Sequence, residues 1–126
     1  MGAAGAGGAH RNEVRVHQVH AAVDCGLVVN PDQALAQIQG GIVFGLSAAL
    51  FQEITVRNGA VEQRSFPDFR MVQLANAPRV DVEFMDSNAP PGGLGEPGVP
   101  PIAPAVANAV FALTGQRLRT LPLRLA

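Results

Sequence analysis

One ionisable side chain, Glu96, stands in the segment Gly92-Gly-Leu-Gly-Glu-Pro-Gly-Val-Pro-Pro101, among four glycines, three prolines and two apolar residues. Such neighbours fix the backbone yet take up little room, which suits a carboxylate that must approach a ligand closely. An apolar run with helical spacing follows, and its positive end favours an ionised carboxylate. Burial in an apolar loop disfavours the charged form. A glutamate set between these influences is suited to act as a general base. The residues alone leave open two structural uses, a cap on the following helix or an ion pair with an arginine.

Gln37 is the second candidate. On a helix it shares a stripe with Gly41, one turn away, and a neutral amide beside bare backbone can both donate and accept hydrogen bonds with a polar heterocycle. A surface glutamine next to a packing glycine is the plain alternative. Cys25, in Asp24-Cys25-Gly26, reads as a small apolar residue, because no His or Asp is placed by sequence to activate a thiolate. His17 and His20 lie three apart on a strand-like segment and so face opposite ways. With one cysteine and three histidines lacking ligand spacing, metal binding directly by side chains is not expected. The chain has no lysine, which excludes a phosphate-binding Gly-Lys loop. No dinucleotide fingerprint or Gly-x-Ser-x-Gly turn is present either.

Elements must position these residues. The 126 residues suit one domain, and 48% apolar content with a net charge of −1 reads as soluble and globular. All nine basic residues are arginines, a compositional bias, and no basic patch interleaves with aromatics, so nucleic acid is not an expected partner. No uninterrupted apolar run suits a membrane span. Without a secretory signal either, the chain is expected to be cytoplasmic. Residues 1–13 read as a flexible Gly/Ala-rich lead and residues 14–126 as one domain.

Residues 13–24 and 79–86 alternate as strands, and Asn58-Gly59 between two β-prone runs signals a hairpin. Asn30-Pro31-Asp32-Gln33 is a helix start, and apolar residues then recur at Leu35, Ile38, Ile42, Leu46 and Ala49. Gly40, Gly41 and Gly45 inside that helix cost roughly 1 kcal/mol each against alanine. Close approach to another element or to a ligand must offset them. Residues 66–78 are expected to be irregular with one helical turn. A second helix begins near Ile102 and ends before Gly115. The expected fold is α+β, a four-stranded mixed or antiparallel sheet with two helices packed on one face.

The segments AVDCGLVVNPDQALAQIQGGIVFGLSAALFQEIT, PPGGLGEPGVPPIAPAVANAVFALTG and RLRTLPL resemble the C-terminal end of a molybdenum hydroxylase large subunit. The superfamily is that of xanthine dehydrogenases and aldehyde oxidases, and the likeness is greatest to the isoquinoline 1-oxidoreductase beta-subunit type. It runs from about Val14 to Leu123. The resemblance implies a molybdopterin cofactor whose metal takes no ordinary protein ligand. It further implies that Glu96 is the general base in hydroxylating an electron-poor carbon of an aldehyde or N-heteroaromatic. Gln37 would contact the cofactor, with Gly40 and Gly41 admitting it to the backbone. The family subunit is several times longer than this chain. The resemblance therefore implies as partners the remainder of that subunit and an iron–sulfur subunit, and an isolated chain without activity. Surface left uncovered by their absence would favour self-association. A non-catalytic binding or assembly module derived from the family is the rival reading.

Overall fold

The computed structural model describes residues 13–125; of the Gly/Ala-rich lead, residues 1–12 lie outside them. Strand β1 (Gln18–Val23) leads to helix α1 (Pro31–Leu50). A short hairpin follows, β2 (Val56–Arg57) and β3 (Ala60–Val61), then strand β4 (Arg79–Phe84) and helix α2 (Ile102–Thr114). The mixed α+β character is as expected, and residues 66–68 form the anticipated single helical turn.

The single four-stranded sheet is absent among the described residues. The four strands form two separate two-stranded sheets, a parallel β1–β4 pair and the antiparallel β2–β3 hairpin. The reason is physical. β2 and β3 are two residues long and exposed, too short to offer an apolar face to the main sheet. Their turn is nevertheless the one the sequence specifies, with Asn58 at φ 51° and Gly59 at φ 77°, the geometry of a tight hairpin turn.

Helix α1 starts where the residues dictate. Asn30 Oδ1 accepts from the Gln33 N–H at 3.3 Å, Pro31 occupies the first turn, and Asp32 meets the positive end. Its buried side consists of Ala34, Ile38, Ile42, Leu46 and Ala49, with Leu35 only half-buried at the margin. Ile38, Ile42, Leu46 and Ala49 join Val106 and Val110 of α2 and Val19 of β1 in one core, against which Val80, Val82 and Phe84 of β4 pack. Ser47 is buried among them without cost, since its hydroxyl donates to Val43 O at 3.0 Å and accepts from Val72 N at 3.0 Å. At the far end of α2, Gly115 takes the left-handed conformation, φ 73°, and its N–H closes on Phe111 O at 2.8 Å.

Over an 18-residue window, α1 reaches a mean hydropathy of 1.2, enough with its length to cross a membrane. Asp32, Gln33, Gln37 and Gln39 keep α1 from being an uninterrupted apolar run, yet as a helix it reaches that threshold. In this fold α1 is a core helix, its apolar stripe turned onto α2 and β4.

The outer face of the β1–β4 pair is polar. Gln18 Nε2 donates to Asp81 Oδ2 at 2.7 Å, Arg79 Nε donates to Asp81 Oδ1 at 2.9 Å, and His20 Nδ1 lies 3.7 Å from Asp81 Oδ2. The Gln18 bond foremost holds the Asp81 carboxyl below its ordinary range, against partial desolvation, with Arg79 and His20 adding to the effect. A depressed carboxyl contributes stability that is present above its unfolded-state pKa and is lost as pH falls through the folded value. Asp81→Asn is accordingly expected to flatten part of the acid-side decline in melting temperature over about pH 5 to 2, as measured by circular dichroism. An unchanged pH profile would remove Asp81 from the acid response.

Candidate functional site

The loop that carries Glu96 is fastened at both ends. At its start, the turn Asp24-Cys25-Gly26 grips it. Leu27 N donates to Ala89 O at 3.0 Å, and Gly92 N donates to Cys25 O at 2.8 Å. Asp24 Oδ1 closes the turn by accepting from Gly26 N at 3.1 Å. Gly26 has φ +69°, and a side chain there would land on the Pro90 carbonyl oxygen. Cys25 is half-buried, with its Sγ 4.0 Å from Gly26 O.

At its far end the loop is pressed against α1. A Cβ on Gly98 would lie 2.9 Å from both Ile38 O and Ile42 N, closer than side-chain carbons come to backbone. A Cβ on Gly45 would meet Ile102 Cγ2 at 2.6 Å and Val99 O at 2.7 Å. Gly45 therefore admits the loop and the first turn of α2 to the helix surface, which accounts for its presence in a helix interior. Gly41 faces Gly98 at an ordinary 3.5 Å.

Gly40 has no such reason. Among the described residues nothing lies within 4 Å of where its Cβ would be. With Gln37 and Phe44 it forms an exposed stripe at helical spacing. Of the three glycines in α1, only Gly45 is required by packing among the described residues; Gly41 is in ordinary contact and Gly40 in none.

Between its two anchors the loop divides two shallow hollows. Gly92 and Leu94 border one of about 270 Å³, which Gln37, Gln33 and Cys25 also line. Gly93, Gly95 and Glu96 border the other, of about 300 Å³, with Pro97 and Pro100. Gln37 and Glu96 thus line neighbouring hollows rather than a shared one. Glu96 is exposed, and its backbone is held by the Val99 N–H donating to Glu96 O at 2.8 Å. Among the described residues its carboxylate takes no ion pair or hydrogen bond, and no side chain caps α2. Neither structural use that the sequence left open is filled.

The anchoring turn at Asp24–Gly26 and the Gly45/Gly98 fit were not singled out by sequence reasoning. A glycine three residues past the end of β1 was the available signal for the turn. Nothing in the sequence pairs Gly45 with the loop. Among the described residues no three His, Cys, Asp or Glu side chains gather. The polar groups on offer are an open carboxylate, an exposed amide and uncovered helix backbone. That set is suited to hydrogen-bonding a preformed cofactor rather than to chelating a bare ion.

Comparison with known proteins places these observations. Residues 10–78 match the molybdopterin cofactor-binding domain family. The chain is 42% identical over 102 residues to a protein of Gluconacetobacter polyoxogenes named membrane-bound aldehyde dehydrogenase [pyrroloquinoline-quinone], covering 81% of this chain and 13% of that one. It is 38% identical over 113 residues to the isoquinoline 1-oxidoreductase subunit beta of Brevundimonas diminuta, covering 90% of this chain and 14% of the other. An alignment of that extent necessarily includes both Gln37 and Glu96. Among solved structures, the Cu,Mo-CO dehydrogenase in its carbon monoxide reduced state superposes with a TM-score of 0.74 at 26% identity, over 84% of this chain and 15% of that chain. The chain thus spans about one seventh of the length of the relatives it matches.

Proposed function

The chain belongs to the molybdopterin cofactor-binding domain family and is a fragment of a molybdenum hydroxylase large subunit, and from that premise we propose that it forms the C-terminal, cofactor-facing part of that subunit. Gln37 would hold the cofactor by hydrogen bonds from its exposed amide, and Gly40, with open space in place of a side chain, would let it approach the α1 backbone. Glu96 is the general base. The observation that carries the reading is Gly40: a glycine in a helix interior costs roughly 1 kcal/mol, and this one meets nothing among the described residues.

When bound, the cofactor supplies the two-electron oxidation that hydroxylation of an aldehyde or N-heteroaromatic carbon requires. The chain's own residues do the rest. Hydroxylation releases a proton, and the Glu96 carboxylate oxygens, unpaired and exposed, are available to hold it. The turn at Gly26 and the contact of Gly98 with α1 fix the loop, so the carboxylate is presented from a rigid backbone. The remaining walls of the site, the substrate pocket and an iron–sulfur subunit for the electrons come from other parts of the assembly. Large apolar side chains left exposed here, Phe66 at 93%, Leu74 at 96% and Val29 at 80%, agree with such partners and also favour self-association when they are missing.

Two features favour other choices. The name of the Gluconacetobacter relative points to pyrroloquinoline quinone; we follow the family match and the molybdenum enzyme whose fold this chain shares. The separation of Gln37 and Glu96 into neighbouring hollows suits the rival reading, a non-catalytic assembly module. Gly40→Ala separates the readings. In the chain alone it fills empty space and is expected to stabilise by about 0.5–1 kcal/mol in urea denaturation. In the complete subunit it is expected to reduce the molybdenum bound per chain. Full molybdenum content in the variant would show that the cofactor does not approach α1 there.

A further inference from the structure

Among the described residues, strand β1 has a neighbour on one side only. Arg79 N donates to His17 O at 3.0 Å and Met85 N donates to Val23 O at 2.9 Å. In a parallel ladder that pattern turns the backbone groups of odd-numbered β1 residues to β4. Those of Gln18, His20 and Ala22 face the other edge, where no strand lies among the described residues. The β4 edge is treated differently, because Gln39 of α1 reaches it and donates through Nε2 to Val80 O at 3.1 Å.

The open edge carries none of the features that keep strand edges apart. It has no proline or lysine and no bulge against β4. Along it runs a hollow of about 250 Å³, lined by residues 19–23 of β1 together with Ile38, Ile42, Pro97 and Ile102, and by no residue of β4. Backbone donors and acceptors beside an apolar trough are the two requirements for adding an extended segment to a sheet.

We propose that this edge receives an extended, aliphatic segment from the remainder of the molybdopterin-binding subunit. The segment becomes the third strand of the β1–β4 sheet, and its alternate side chains fill the hollow. The proposal rests on the reading that the chain is part of a longer subunit, not on the role of Glu96. In the carbon monoxide dehydrogenase, the fold matched by this chain is 15% of a much longer chain, which has ample length to supply such a strand. A second copy of this chain fits less well. The one fully buried apolar side chain of its β1, Val19 at 2% exposed, is already within its own core, and the exposed positions are His20 and the small Ala22.

The test uses the full chain co-expressed with the Brevundimonas isoquinoline 1-oxidoreductase beta subunit from which the matching segment has been deleted. Amide hydrogen exchange is read residue by residue, with and without this probe. His20 and Ala22 are expected to exchange rapidly in the chain alone and to slow by about two orders of magnitude in the complex. Ala21, bonded to β4, is expected to be protected in both. Ala22→Pro removes an N–H that only the open edge can use, and is expected to abolish co-purification while shifting the chain's own melting temperature by only a few degrees. Glu96→Gln is expected to leave association intact, so a failure of docking is distinguishable from a failure of the catalytic reading. Several results would overturn the proposal: no complex, unchanged exchange at His20 and Ala22 within a complex, or wild-type association by Ala22→Pro. Protection in the chain alone, together with a dimeric mass, would overturn it in favour of a second copy.

Discussion

Glu96→Gln in the assembled subunit is expected to lower kcat by on the order of 10²- to 10⁴-fold, the contribution of a positioned general base, with the molybdenum content per chain unchanged. Glutamine keeps the size of the side chain and one acceptor oxygen but cannot take up a proton at neutral pH. In this chain the carboxylate makes no bond that the substitution would break. The fold should therefore not change, and the melting temperature of the variant is expected to match that of the parent. This distinguishes Glu96 from a structural glutamate, whose replacement would show first in stability. Single-turnover kinetics beside metal analysis provides the check. Near-normal turnover would remove Glu96 from the mechanism.

Gly98→Ala is expected to have the largest effect on the site without touching a reacting group. Its Cβ would lie 2.9 Å from two backbone atoms of α1, Ile38 O and Ile42 N, neither of which can rotate away. Overpacking of this kind costs about 1–3 kcal/mol. Relief comes most readily by lifting the loop off α1, and the loop carries Glu96 two residues earlier. Urea denaturation is expected to show the loss of stability, and the assembled subunit is expected to lose turnover well beyond that loss, because displacement by even about 1 Å disables a catalytic group. Gly41→Ala is the control. Its Cβ would meet Gly98 at an ordinary 3.5 Å, so in the isolated chain it should be tolerated. If Gly98→Ala is as stable as the parent, the close contact does not hold the loop.

The features legible in the sequence are those set by neighbours along the chain. Asn30-Pro31 fixes the start of α1, Asn58-Gly59 closes the hairpin, and Gly115 ends α2, each through chemistry within a few residues. Strand pairing was not legible in this way. β1 and β4 pair in parallel across α1 and the hairpin, and nothing local in either strand specifies the partner. The brevity of β2 and β3 likewise depends on the absence of a surface to extend along. At the site, Glu96 was conspicuous as the lone charge in a Gly/Pro loop. The glycines of α1 were visible as a group, but their separate meanings were not. Gly45 answers to Val99 and Ile102, Gly41 only touches Gly98 at ordinary distance, and Gly40 meets nothing among the described residues, a distinction that only three-dimensional packing makes.

The central claim is that this chain supplies part of a molybdopterin site completed by the remainder of the large subunit. Native mass spectrometry of the chain, expressed together with its neighbouring genes, tests it most directly. The account predicts a complex heavier than the 13.1 kDa chain, containing a second polypeptide and the mass of the molybdenum cofactor. A species at the mass of the chain alone, a simple multiple of it without cofactor, or a complex carrying pyrroloquinoline quinone instead would contradict the claim.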